Sequence, residues 1–484
     1  MRNIDDIVKG CHVTGIKGEK KTLTGRVLFD SREAGRGDLF VAVPGTKADG
    51  HDFIPSVVSR GVSHVVCEVF PEVLSDEVCY IQVEDSRRAL ALIASNYYDN
   101  PSSAVKLVGV TGTNGKTTVA TLLYDIARGL GYKAGLLSTV NVRFDGKTRA
   151  ATHTTPDPLQ LQSVMREMAD SGCEFVFMEV SSHAIHQRRI EGLLFRGGIF
   201  TNLTHDHLDY HKTFRDYLEA KKMFFDHLPA SAFALVNTDD RNGRVMVQNT
   251  RASVHSYAMK SMADYRGKIL ESHFEGNLLQ VNNSEFWTRL PGLFNAYNVL
   301  AVYGTGVLLG FDEQELMEQI SLCMPVDGRF EIIRKEGGPT AVVDYAHTPD
   351  ALENVLSTIL GIRKKDQQVI TIVGAGGNRD RTKRPEMARI AAELSDKVVL
   401  TSDNPRDEDP AGIIREMKDG LTPELGKKVI TINDRDEAIR ATCAFAGKND
   451  IILVAGKGHE TYQEIKGVRH HFDDREKLRN YLNV

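Results

Sequence analysis

A chain of 484 residues, 41% hydrophobic and 26% charged, is too long for one ordinary core and has room for about three domains. Its formal net charge of −5 comes without a long run of like charges, and no stretch reaches the apolar length of a membrane span, so neither nucleic-acid binding nor membrane insertion is expected. Cys11, Cys67, Cys79, Cys173, Cys323 and Cys443 form no C-x-x-C pair, which argues against a zinc ribbon or disulfide framework and fits a reducing cytoplasm; residues 1–10 carry Asp5 and Asp6 without the apolar core of a signal peptide.

Residues 1–102 read as a small α/β domain, with apolar strands near 25–29, 39–43, 64–67 and 80–83 and a helical pattern over 86–96. The breaker cluster Asn100-Pro101-Ser102-Ser103 marks its end. Inside it, residues 30–45 (D-S-R-E-A-G-R-G-D-L-F-V-A-V-P-G) are the informative run, which by itself is also compatible with a plain β-turn beside a strand.

The second domain, 103–330, begins with a short buried strand (105–110), the loop V-T-G-T-N-G-K-T-T (110–118) and a helical pattern from 119 to 130. Strand, glycine loop and helix together are the context of a phosphate-binding loop. Gly112 and Gly115 let N–H groups of Thr113, Asn114 and their neighbours face an anion, Lys116 reaches the outer phosphates, and Thr117, ahead of Thr118, offers a hydroxyl to Mg²⁺. The general G-x-x-x-x-G-K-[ST] pattern wants glycine at Val110, so the match is one residue short.

Further strands are expected at 134–140, ending in Ser138-Thr139, at 175–180, ending at Glu179, and at 198–203, leading into T-H-D-H-L-D-Y-H. The ends of parallel strands face one edge, so Thr139, Glu179 and His207 are expected beside the phosphate loop, with Glu179 as a Mg²⁺-side acid. His205, His207 and His211 also invite a zinc reading, although nothing nearby in sequence completes a tetrahedral set. Residues 214–227 form a helical pattern with aromatics on one face, on which Lys221 and Lys222 read as solvated charges. Residues 258–287 look short-stranded and connective, 290–309 an Asn-capped helix rich in small residues, and 325–330 the second boundary.

The third domain, 331–484, repeats one device: apolar strands at 340–343, 369–373, 398–400 and 451–454 end respectively in D-Y-A-H-T-P-D, G-A-G-G-N-R-D-R, T-S-D-N-P-R and A-G-K-G-H-E. That suggests an open, Rossmann-like parallel sheet, although G-A-G-G lacks the G-x-G-x-x-G spacing of an NAD site. Arg379 and Arg406, with Asp403 and Glu460 in the same layer, suit a small zwitterion; the same four residues also suit an internal network that holds loops together.

V-T-G-T-N-G-K-T-T, M-E-V-S-S-H, N-L-T-H-D-H-L-D-Y-H, L-P-G-L-F-N-A-Y-N, D-G-R-F-E, D-Y-A-H-T-P-D and A-G-K-G-H-E, in that order along almost the whole chain, resemble the motif set of the Mur ligases. The family's loop begins T-G-T, which accounts for Val110. The resemblance implies an α/β protein of three domains: a small N-terminal domain for a UDP-sugar substrate, a central P-loop ATPase-like domain, and a C-terminal domain for the incoming amino acid. It implies an ATP-dependent, cytoplasmic ligase of peptidoglycan precursor synthesis, with ATP and Mg²⁺ as cofactors and a monomer as the expected state. Within the family the chain most resembles members that join meso-diaminopimelate to the D-Glu of UDP-N-acetylmuramoyl-L-alanyl-D-glutamate through an acyl phosphate.

Residue by residue, the resemblance carries Lys116, Glu179, His207 and Lys221 over as catalytic, Lys221 as a carbamate. Thr117, Thr139, Glu179, His207 and carbamylated Lys221 match metal ligands, and Asn295, Arg329, Asp344 and His347 lie in motifs associated with ATP. Phe29 and Ser31 match uridine-side contacts; Thr154, Thr155, Ser181, Gln187 and Arg189 match contacts to the muramoyl dipeptide. Gly45-Thr46-Lys47-Ala48 departs from the histidine–glutamine form of some members. Arg379, Asp403, Asn404, Pro405, Arg406, Gly456 and Glu460 match the amino-acid site. D-N-P-R is the form of the diaminopimelate-adding members, and the physical reason is direct: Arg406 can pair with a distal carboxylate that lysine lacks. The competing expectations are a lysine-adding member, a folylpolyglutamate synthase, and a nucleotide-dependent switch without ligase chemistry.

Overall fold

The computed structural model describes residues 2–45, 48–151 and 153–484. The uridine-side expectation at Thr46 and Lys47 lies outside the described residues.

The architecture is α/β in three parts, each built on its own sheet. In the first sheet Val27–Leu28, Leu39–Val41, His64–Cys67 and Cys79–Val83 are parallel, and Val13–Lys17 joins the last of them antiparallel. Sequence reading misses Val13–Lys17, because an edge strand with mostly exposed residues gives no alternation to detect. The helix Ser86–Tyr97 covers the sheet, its start capped by the Asp85 carboxylate, which accepts from the Arg88 N–H.

The second sheet has a parallel core in the order Ser253–Ala258, Phe233–Asn237, Phe195–Phe200, Lys106–Thr111, Phe175–Glu179, Ala134–Leu137. The inner strands are largely apolar runs because helices cover both faces, whereas Ser253–Ala258 at the side of the meander is exposed over its first half. Lys106–Thr111 sits in the middle, and the chain leaves it first toward one side and later toward the other. The crevice beyond its C-terminal end is therefore a topological switch point, where ligands collect in such sheets.

Residues 258–287 are more than a connector. Tyr265–His273, Gly276–Val281 and Ser284–Thr288 continue the sheet as a meander, and Leu279, Val281 and Phe286 pack into the core around the helix Leu293–Leu309. One face of this meander stays in solvent, which dilutes the apolar signal. The helix is also not Asn-capped. Its N-cap is Gly292, with φ +87° and no side-chain cap, and Asn295 instead donates from Nδ2 to the Pro291 carbonyl at 2.9 Å.

In the third sheet Thr340–Asp344, Ile451–Ala455, Val369–Val373, Lys397–Leu400 and Val429–Thr431 are parallel, and Glu331–Arg334 closes one edge antiparallel. A separate hairpin, Tyr462–Ile465 with Val468–His471, follows the last central strand. Below the strand ends Arg435 and Asp474 form a bidentate pair, Nε–Oδ1 2.8 Å and Nη2–Oδ2 2.7 Å, with both side chains fully buried. Removing one partner strands an uncompensated charge, which costs on the order of 3–5 kcal/mol. Asp474→Ala is therefore expected to lower the melting transition of the C-terminal part sharply in calorimetry; a melt within a degree or so of the parent would mean the pair contributes little.

Candidate active site

The phosphate loop runs from the end of Lys106–Thr111 to the start of Lys116–Gly129. Two glycines make its path possible. Gly112 has φ +151° and a Cβ there would run into the Thr201 hydroxyl; Gly115 has φ +87° and a Cβ would run into Asn298 Oδ1. The N–H groups of Thr113 and Asn114 donate to the carbonyl and side chain of Asn202, each at 2.8 Å, so they brace the loop rather than facing an anion. The first turn of the helix, from Lys116 through Thr117 and Thr118, lines the cavity over the loop, an arrangement that suits an anion. Lys116 lies back across the loop and donates to the carbonyls of Gly112 (2.9 Å) and Thr113 (2.7 Å); burial pushes its pKa down.

Glu179, at the end of the adjacent strand, is fully buried. Its carboxylate accepts from the Thr117 hydroxyl at 3.0 Å, from the Thr139 N–H at 2.6 Å and from the Thr139 hydroxyl at 3.1 Å. A carboxylate and two hydroxyls in one dry corner are the hard oxygen donors that Mg²⁺ prefers.

Lys221, read from the helical pattern as solvated, is 1% exposed on the helix Phe214–Asp226. It donates to the Gly112 carbonyl at 2.7 Å and lies 4.6 Å from the centre of the Tyr217 ring. Burial, then the charge of Lys116, holds its pKa well below the ordinary lysine value. Lys222, its neighbour in sequence, pairs with Asp226 one turn on.

His205 stands apart from the other two histidines of T-H-D-H-L-D-Y-H, while the rings of His207 and His211 both pack against His183, at 4.9 and 5.6 Å between centres; among the described residues no group of three or more His, Cys, Asp or Glu side chains is placed to ligate zinc. His205 faces Asp380 at 3.1 Å, His207 lies beside Asp206, and buried His211 meets the Ser182 hydroxyl at 2.9 Å. Burial lowers His207 to about 3, which keeps the ring neutral and available as a ligand.

Thr154, Thr155, Ser181, Gln187 and Arg189 are linked into one wall. The Thr155 hydroxyl donates to the Glu179 carbonyl and accepts from the Ser181 N–H; Arg189 donates to the Thr155 carbonyl at 2.9 Å and to Gln187 Oε1 at 2.6 Å; Thr154 meets Thr139 at 3.1 Å. Phe29 and Ser31 stand apart from this wall, on the loop after Val27–Leu28 in the N-terminal sheet, with the Phe29 ring exposed.

From the C-terminal side Arg329 donates to the Thr117 hydroxyl at 3.2 Å and stacks 4.6 Å from the Tyr345 ring. Asp344 accepts from the Phe330 N–H at 2.7 Å, and burial raises it to about 6 against the pull of Arg329. His347, lowered by burial to about 4, meets the Tyr345 carbonyl at 2.8 Å. Asn295 is turned away, and Asn298, one helical turn on, lines the cavity.

Two adjoining cavities result. One of about 190 Å³ lies over the phosphate loop; another of about 390 Å³ reaches the third sheet's strand ends. Thr154, Ser181, Asp206, His207, Tyr345 and His347 line both. Arg379, Asp403, Asn404, Arg406, Gly456 and Glu460 line the larger cavity. Pro405 lies behind, its carbonyl against Gly377. Asn404 donates to Glu460 Oε2 at 2.8 Å, and Arg406 to the Gly377 carbonyl at 2.7 Å. Sequence reading missed Asp206 and Lys383, which face each other at 3.4 Å from different sheets, and Lys457, buried beneath Asn404. Asp206 and Lys457 sat inside recognised motifs; Lys383 carried no signal.

Family models match along the chain in order: Mur ligase family, catalytic domain, over residues 26–98; Mur ligase middle domain over 110–306; and Mur ligase, glutamate ligase domain, over 328–458. A protein of Bacteroides thetaiotaomicron named UDP-N-acetylmuramoyl-L-alanyl-D-glutamate–2,6-diaminopimelate ligase is 53% identical over 480 residues, covering 99% of this chain and 100% of the relative. A Phocaeicola vulgatus protein of the same name is 54% identical over 477 residues, covering 99% of each. A solved structure of a ligase with that name superposes with TM-score 0.70 at 31% identity over 99% of this chain and 98% of its own. A Mycobacterium tuberculosis folylpolyglutamate synthase, at TM-score 0.61 and 17% identity over 75% of this chain and 91% of its own, shares the fold. With matching models in all three parts and relatives above 50% identity over nearly full length, this chain belongs to the Mur ligase family.

Proposed function

We propose that this chain is an ATP-dependent ligase that joins meso-diaminopimelate to the D-Glu γ-carboxylate of UDP-N-acetylmuramoyl-L-alanyl-D-glutamate in cytoplasmic peptidoglycan precursor synthesis, acting as a monomer. The observation that carries it is the pair of cavities with one common wall: a phosphate loop opens on one side and paired acids and arginines on the other. The names of relatives at 53–54% identity support diaminopimelate over glutamate or lysine as the amino acid. A switch protein has no use for the second cavity.

In this reading residues 1–102 take the uridine end through Phe29 and Ser31, 103–330 take ATP and the muramoyl dipeptide, and 331–484 take the amino acid. A γ-carboxylate oxygen attacks the γ-phosphorus of ATP, and ADP leaves. The neutral amine then attacks the acyl phosphate carbon, a tetrahedral oxyanion forms, and it collapses to the amide as inorganic phosphate departs with the proton that the nitrogen gives up. Bringing carboxylate and triphosphate together is the main electrostatic obstacle; Lys116 and the first turn of its helix offset it.

Thr117, Thr139 and Glu179 fit Mg²⁺, which supplies charge neutralisation when bound. Lys221 fits a carbamate, because a buried amine held neutral is the form that adds CO₂; the product is an anion that, with His207, suits a second Mg²⁺. Thr154, Thr155, Ser181, Gln187 and Arg189 orient the dipeptide. Arg406 receives the distal carboxylate and Arg379 the other, while Asp403 and Glu460 receive the ammonium of the end that does not react, beside Asn404, Gly456 and Pro405.

Phosphate release from ATP is expected to require both UDP-muramoyl dipeptide and meso-diaminopimelate. Equal turnover with L-lysine would remove the specificity, and turnover with neither substrate would remove the ligase. Arg406→Ala is expected to raise KM for meso-diaminopimelate by roughly thirty-fold or more with little change in KM for ATP; equal losses in both would make the arginine structural. For Lys221, ¹³C-bicarbonate is expected to give a carbamate carbonyl signal by NMR that Lys221→Ala abolishes together with about a hundredfold or more of kcat. A fully active Lys221→Ala variant would contradict the role.

A further inference from the structure

Lys457 lies inside A-G-K-G-H-E, a motif expected to supply turn residues, and its side chain has no exposure. Its ammonium donates to Asn404 Oδ1 at 3.1 Å and to Glu460 Oε2 at 3.1 Å. Asn404 Oδ1 also accepts from the Glu464 N–H at 2.9 Å, while Asn404 Nδ2 donates to Glu460 Oε2 at 2.8 Å. With two donors on its oxygen and an acceptor on its nitrogen, this amide has one orientation. Asp403 stands beside it, taking the Asn404 N–H at 2.6 Å.

The charges follow the same arrangement. Burial works against the Asp403 carboxylate, but Lys457 and Arg435 hold its pKa below the ordinary range; burial and the charge of Asp403 push Glu460 upward, and Lys457 opposes that rise. Arg435 is already committed to Asp474. Two acids with one buried ammonium leave a single net negative charge, which matches one incoming ammonium. Without Lys457 the acids share a proton that the substrate must displace, and the Asn404 amide loses one of the three hydrogen bonds that hold its orientation.

We propose that Lys457 is the positioning residue of the amino-acid pocket: it fixes the Asn404 amide and offsets the Asp403–Glu460 pair, so that the pocket accepts an amino acid in one orientation. The inference rests on the assignment of this pocket to the amino acid. It is separable from phosphorylation, which needs only ATP and the UDP-muramoyl dipeptide.

The test compares Lys457→Met, which removes charge and donors, with Lys457→Gln, which keeps donors without charge. Hydroxylamine trapping of the acyl phosphate reads the first half of the reaction, and amide formation with meso-diaminopimelate reads the whole. Trapping is expected within about twofold of wild type for both variants, while KM for meso-diaminopimelate rises roughly tenfold or more for methionine and less for glutamine. Equal loss of trapping and amide formation would mean a merely structural lysine and overturn the proposal, as would an unchanged KM. A wild-type protein that yields acyl phosphate but no amide with meso-diaminopimelate would overturn the pocket assignment instead.

Discussion

Two lysines, half-buried Lys116 and buried Lys221, donate to the same backbone oxygen, the carbonyl of Gly112. They come from different helices and meet where the phosphate loop turns. Two ammonium groups this close repel each other, and after burial it is the charge of Lys116 that depresses the pKa of Lys221. The relief available is chemical: anions on one side, or loss of charge by one of the pair. A neutral amine opens the way to a carbamate, and a positive loop opens the way to a triphosphate. Glu179, held by Thr117 and Thr139, supplies the negative charge already present at this corner.

The site is completed across the boundary between the second and third sheets. Arg329 reaches Thr117, Asn114 reaches Asp350 at 2.8 Å, His205 reaches Asp380 and Lys383 reaches Asp206. Each contact joins a loop or first helical turn beside the second sheet to a loop or first helical turn at the edge of the third. The wall common to the two cavities is thus made by both.

Much of this was legible in the sequence. The continuous apolar strands of the two larger sheets and the Gly-, Asp- and Arg-rich turns at their ends follow from a buried parallel sheet, and they place Thr139, Glu179, His207 and Arg406 on ligand-facing edges. Whatever depends on partners distant in the chain was not legible. Lys221 and Lys222 are adjacent and identical in type, yet one is sealed under the phosphate loop and the other pairs on its own helix. Asn295 and Asn298 likewise differ only by a turn of helix, and only the second lines the cavity. The edge strands escaped notice because their residues are mostly exposed and leave no alternation to read.

Arg406 has a left-handed backbone, φ +51°, and its loop is paired on two sides: its N–H donates to Glu464 and its carbonyl accepts from Lys466 in the hairpin, while the Gly377 N–H donates to Asn404. Fully buried Arg384 ties the same loops from below through Glu408 and Glu416. A residue held in such a conformation depends on its surroundings to stay there. The cavity lining around Arg406 is thus held as a block of three segments. In the proposed reading, a relative with a different preference would be reached by exchanging loop, hairpin and glycine turn together, and a lone change at the arginine would erase one specificity without creating another.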